Sequence, residues 1–150
     1  MNNVIPLKKK EHTFEKEISE LTDLCKEDLV SANTIILDKL DSNVPLVQEV
    51  AKYLILSGGK RLRPLLTISS YYLTNNGSTK KENSINHIGL SAAVEFIHTA
   101  TLLHDDVIDE SKQRRGKPTA NEKWKNKTSV LVGDFLFSRA FQLMTKYGNA

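Results

Sequence analysis

The stretch from Leu102 to Pro118 reads LLHDDVIDESKQRRGKP, and its charges are ordered by sign. Asp105, Asp106 and Asp109 come first, and Arg114 and Arg115 follow. Carboxylates at i and i+4 of a helix stand about 40° apart round the axis and roughly 6 Å apart along it. Side chains so placed can share a hard cation such as Mg²⁺, which commonly takes one or two carboxylates and fills its shell with phosphate oxygens and water. Acids at a helix C-terminus oppose the helix dipole and repel one another, so three of them favour a counter-ion. The paired guanidinium groups beyond them suit phosphate oxygens through bidentate hydrogen bonds. The residues predict a divalent-cation site beside an anion-binding loop.

A second candidate is Gly58-Gly59-Lys60-Arg61-Leu62-Arg63-Pro64. Two glycines let the backbone turn sharply, and Pro64 fits an early helix position. Two readings stand side by side. One is a basic turn between helices. The other is a phosphate site where Lys60, Arg63 and backbone N–H groups converge at a helix N-terminus. It is not a P-loop, because the Walker spacing is missing and a helix precedes it.

These motifs need elements to hold them, and the apolar spacing supplies helices throughout. Phe14 to Leu40 recurs at threes and fours, predicting one amphipathic helix from about Thr13. Asp41-Ser42-Asn43 reads as a break and cap, followed by a helix from Pro45 to Leu56. Another helix runs from Leu65 to Leu73, and the polar segment to Asn83 reads as a loop. A long helix covers Ser84 to about Asp109, a loop covers Glu110 to Pro118, and a last helix spans Thr128 to Tyr147. Period-two alternation and internal repeats are absent from the sequence. The expected fold is all-α, with residues 1–12 a mobile basic tail and 13–150 one domain.

Ile88 to Leu103 is apolar almost all round, which marks a buried helix. Ser91, His98, Thr101, Asp105 and Asp109 form a narrow polar stripe on it. Buried polar groups are costly without partners, so the stripe is expected to face a cavity with the carboxylates at its mouth. His98 is then either a satisfied core histidine or a ligand contact. Glu95 and His104 lie off the stripe and are left to partial exposure or hydrogen bonding. Gly133-Asp134 reads as a close helix contact with a hydrogen-bonded acid, and Trp124 as packing.

Bulk properties narrow the class. The net charge of +3 over 150 residues is too small to argue for nucleic acid, and one cysteine, Cys25, excludes a disulfide framework or multi-cysteine zinc site. Cys25 reads as a small apolar helix residue. The basic N-terminus lacks a following apolar run, so it is not a secretory signal. A soluble, cytoplasmic protein is expected.

Taken in order, GGKRLRP, FIHTATLLHDDVIDES, RRGKPTAN and VLVGDFLFSRAF resemble the polyprenyl synthetases, the trans-isoprenyl diphosphate synthases. The likeness runs from about Pro45 to Phe141 and is nearest in flavour to octaprenyl and other long-chain types. It implies the N-terminal portion of an isoprenoid-synthase helical bundle around a central cavity. It also implies condensation of an allylic diphosphate with isopentenyl diphosphate into a medium- or long-chain all-trans polyprenyl diphosphate, a membrane-lipid precursor. By resemblance, Asp105, Asp106 and Asp109 are the first aspartate-rich motif, and Asp105 and Asp109 ligate Mg²⁺. Arg114 contacts the allylic diphosphate, while Arg115, Lys60, Arg63 and His98 hold isopentenyl diphosphate. Ala100 and Thr101 occupy the chain-length positions, where small side chains imply an open product tunnel.

The sequence departs from the family in one respect. A second aspartate-rich motif, which would supply the opposing metal ligands, is not found in these 150 residues. The expectation is an N-terminal part of a synthase, inactive alone and prone to homo- or hetero-oligomerisation or completed by a missing C-terminal half. The alternative is a non-catalytic diphosphate-binding helical subunit that completes or regulates a partner chain. Nucleic-acid binding would leave the aspartates without a role.

Overall fold

The structure is a computed structural model, and it describes residues 14–75 and 85–148. Six helices follow in chain order: α1 Phe14–Leu24, α2 Lys26–Lys39, α3 Pro45–Ile55, α4 Leu62–Thr74, α5 Asn86–Ile108 and α6 Ala120–Tyr147. Between α5 and α6 lies a small antiparallel hairpin, β1 Gln113–Arg114 and β2 Lys117–Pro118. Among the described residues the fold is therefore all-α apart from four hairpin residues. The expected tail over 1–12 and most of the polar loop before α5 lie outside the described residues. No helix among the described residues is long and apolar enough to cross a membrane.

Helix α5 is the axis of the molecule, flanked by α2, α4 and α6, with α3 laid against α6. Its small residues Ala92, Ala93 and Ala100, all essentially without exposure, let neighbours approach, and Phe96 and Leu103 fill the space between. Burying a side chain such as Phe96 contributes about 1.5–3 kcal/mol. Helices α5 and α6 run antiparallel and meet most closely at two glycines. A Cβ on Gly89 would fall inside the Tyr147 ring, and one on Gly133 inside the His104 imidazole. His104 Nε2 also lies 3.5 Å from Asp134. The expected close contact at Gly133 is there, with His104 as its partner. The acid expected to be hydrogen-bonded, Asp134, is instead largely exposed, and the His104 ring nitrogen hydrogen-bonds to Val130 O at 3.2 Å.

A second, smaller core joins Cys25, Leu65 and Ile68. Beside it, Tyr72 and His87 Nε2 share the Asp28 carboxylate, the imidazole at 2.9 Å, while the His87 ring stacks on Tyr71 at 3.9 Å. Burial, and then the hydrogen bond to Asp28, push the Tyr72 phenol well above the ordinary tyrosine range.

Three element boundaries differ from the sequence expectation. The first helix is two helices, because the backbone steps out of the helical region at Cys25 (φ −98°, ψ 10°). Hydrogen bonds Cys25 N–H to Leu21 O and Leu29 N–H to Cys25 O run across the step, so the side-chain periodicity barely registers it. The segment 110–118 is a hairpin instead of a plain loop: Arg115 (φ 52°) and Gly116 (φ 76°) both take left-handed conformations. Two such residues form the tight turn that suits paired strands. Finally, α6 begins at Ala120, eight residues before Thr128, and is interrupted at Lys125 (φ 72°, ψ 159°). That conformation is one glycine favours, and nothing in the side chain of a lysine signals it. Trp124, just before the break, packs edge-on against Tyr53 with ring centres 5.1 Å apart.

Candidate functional site

Three pieces of chain enclose a cavity of about 300 Å³. The loop between α3 and α4 forms one wall, the hairpin a second, and one face of α5 the floor. That face carries Glu95, His98, Thr99, Leu102 and Asp106. Their spacing of three, one, three and four residues keeps them on one side of a helix. The polar stripe expected from sequence is thus shifted. Ser91 is buried and donates to Ile88 O, Thr101 donates to His98 O, and neither lines the cavity. Both hydroxyls satisfy themselves on their own helix, which removes the need for a cavity beside them.

Six cations line the cavity: Lys60, Arg61, Arg63, Arg114, Arg115 and Lys117. The two carboxylates on its floor each take one of them. Asp106, 1% exposed, accepts from Arg114 through Nη2 at 2.7 Å and Nε at 3.1 Å. Glu95 accepts from Arg61 Nη1 at 2.5 Å. Lys60, Arg63, Arg115 and Lys117 have no carboxylate partner among the described residues, so the cavity keeps a positive excess. Arg115 reaches across and donates to Gly58 O, joining the hairpin to the opposite loop. A Cβ on Gly59 would stand 2.8 Å from the same guanidinium. Glycine there lets the two walls meet.

The hydrogen bond to Asp106 holds Arg114 still further above its already high range, against the opposing effect of burial. The charges of Asp106, Asp105 and Asp109 add to it. Partial burial, and then the charge of Arg63, hold His98 below the usual histidine range, with Glu95 opposing. His98 is therefore neutral near pH 7, able to donate from one ring nitrogen and accept at the other.

Asp105 and Asp109 stand exposed, one turn apart at the end of α5, with Asp109 as its C-cap. Neither has a hydrogen-bonded or ion-paired side-chain partner among the described residues. Among the described residues, no group of three histidine, cysteine, aspartate or glutamate side chains converges there on a metal position. Two free carboxylates at this spacing fit a cation that keeps water or phosphate in the rest of its shell, as Mg²⁺ does. They do not fit a closed, all-protein metal cage. Ala100 is fully buried in the main core, and Thr101 is half-buried beside it.

Sequence reasoning left Glu95, Arg61 and Lys117 without a role. Glu95 did carry a signal: an acid within an apolar helix, 11 positions before Asp106 and so on nearly the same face.

Comparison with known proteins gives the family and the fold. The polyprenyl synthetase family matches residues 44–150. Octaprenyl diphosphate synthase of Escherichia coli K12 is 44% identical over 132 residues, which are 88% of this chain and 39% of that protein. The octaprenyl diphosphate synthase of Haemophilus influenzae is 46% identical over 130 residues, 86% of this chain and 37% of the relative. Among solved structures, decaprenyl diphosphate synthase from Rhodobacter capsulatus superposes with a TM-score of 0.79 at 52% identity, covering 88% of this chain and 39% of that one. A polyprenyl synthase from Caulobacter crescentus CB15, complexed with calcium and isoprenyl diphosphate, gives 0.79 at 47% identity over 86% and 38% of the two chains. The chain spans well under half the length of the relatives it matches.

Proposed function

The chain belongs to the polyprenyl synthetase family, and from that premise we propose that it is part of a long-chain, octaprenyl-type prenyltransferase. The reaction condenses an allylic diphosphate with isopentenyl diphosphate. The allylic C–O bond breaks and diphosphate leaves. The alkene of isopentenyl diphosphate forms the new C–C bond, and a proton is lost from the resulting cation. The observation that supports this reading is the cavity's positive excess, set on the floor of the helix that ends in Asp105 and Asp109.

Each side chain has a place in that scheme. Lys60, Arg63, Arg115 and Lys117 grip the diphosphate of isopentenyl diphosphate through charge-assisted hydrogen bonds. Neutral His98 adds a hydrogen bond without attracting a proton from solvent. Asp105 and Asp109 would hold Mg²⁺, which would supply positive charge to offset that of the diphosphate leaving group. Asp106 keeps Arg114 beside that group. No covalent nucleophile is required. Thr101 is the better of the two chain-length positions, because Ala100 is packed in the core. Such an enzyme would work in the cytoplasm and release a precursor of membrane lipid.

A second reading is a diphosphate-binding subunit that completes or regulates a partner chain, as homo- or hetero-oligomer. One observation favours it: the cations line the cavity, whereas Asp105 and Asp109 stand exposed outside that lining, with no third metal-ligating side chain beside them among the described residues. Two measurements test both readings. Calorimetry of the chain with isopentenyl diphosphate and Mg²⁺ is expected to show binding. An assay with labelled isopentenyl diphosphate, Mg²⁺ and an allylic primer is expected to show no turnover by this chain alone. Absence of binding would refute the pocket, and robust turnover would refute dependence on further chain.

A further inference from the structure

Glu95 and Arg61 form a tie under the cavity wall. Glu95 is 8% exposed, and its carboxylate takes Arg61 Nη1 at 2.5 Å. The other terminal nitrogen of that guanidinium donates to Ile55 O, the last residue of α3, at 2.9 Å. One side chain thus closes the loop between α3 and α4 on itself and fastens it to α5. The Arg61 backbone is left-handed (φ 46°, ψ 38°) immediately before α4. A residue with a Cβ keeps that conformation when its surroundings hold it there. Lys60 precedes Arg61 and Arg63 follows two positions later, so the direction of both cations depends on this one backbone setting.

We propose that Glu95 is a positioning residue for diphosphate binding: through Arg61 it holds the Gly58–Arg63 turn so that Lys60 and Arg63 face the anion together. This rests on the reading of the cavity as the isopentenyl diphosphate pocket. Electrostatics alone makes the opposite claim, because a carboxylate near an anion repels it and its removal should tighten binding. The sign of the effect decides between them.

Calorimetry with isopentenyl diphosphate, and separately with inorganic pyrophosphate, on the parent chain, Glu95→Gln, Arg61→Lys and the double variant tests the proposal. Glu95→Gln keeps the shape and removes the charge. Arg61→Lys keeps the charge, yet an ammonium cannot span Glu95 and Ile55 O as the planar fork does. Both are expected to raise Kd by at least about tenfold, since small misplacements of binding groups are costly. The double variant is expected to be no weaker than the weaker single one, as for two residues acting as a unit. Thermal unfolding of each sample fixes a temperature at which it is folded. Arg61→Lys, on an accessible loop, carries the test if Glu95→Gln does not fold. An unchanged or lower Kd in either folded variant overturns the proposal. Failure of the parent chain to bind overturns the pocket assignment, and the role of Glu95 falls with it.

Discussion

At the scale of single residues, three adjacent acids divide into two kinds. Asp105 and Asp109 face solvent, while Asp106 is buried against Arg114. Substitutions should separate them. Asp106→Asn removes the charge that Arg114 holds and should cost about 1.5–3 kcal/mol, typical of a hydrogen bond to a charged group. Asp105→Asn should change stability by no more than about 0.5 kcal/mol, as surface substitutions do. Urea unfolding of the two variants checks this, and equal losses would refute the division. The sequence made the acids and the arginines legible as one constellation. It did not reveal which acid faces which arginine, because that depends on the chain reversing after α5 at Glu110 (φ 50°), where Ser111 N–H donates to Asp106 O and turns β1 back toward the helix end.

At the scale of elements, helix identities were legible from apolar spacing and helix breaks were not. Cys25 and Lys125 interrupt helices without a glycine or proline to announce it. The α5–α6 contact was legible in part, since Gly133 inside an apolar helix pointed to close approach. Its partner, His104, could be found only in three dimensions. Gly133→Ala would ordinarily stabilise a helix by roughly 0.5–1 kcal/mol through backbone entropy. Here the added methyl meets the His104 ring, and the helices must part. The expected outcome is a net loss of about 1–3 kcal/mol, the range for overpacking, measured as a lower midpoint in chemical denaturation. Gly133→Ala combined with His104→Ala should recover part of it, since the obstructing ring is then gone.

At the scale of the whole molecule, the cavity unites a loop near residue 58, the middle of α5 and a hairpin near residue 115. Assembling cations in this way leaves an imprint on pH dependence. Because His98 is held below its ordinary value, the unfolded chain binds its proton more readily than the folded one. The contribution of this group is complete above the unfolded value, about 6.5. It is lost as pH falls through the lower folded value. His98→Gln should flatten that part of the acid limb. Denaturation midpoints of both proteins between about pH 5 and 7 test this, and identical limbs would count against a neutral, partly buried imidazole. The floor of the cavity carries one further consequence. Glu95 and Asp106 are 11 residues apart, so on a regular helix they lie about 16 Å apart along the axis and within about 20° of one direction. Each holds an arginine from a different wall, which makes this interval of α5 a ruler read in whole residues. Inserting one residue between them would swing one carboxylate about 100° away from its arginine. The tolerated length of that interval is therefore fixed even where its side chains are free to vary.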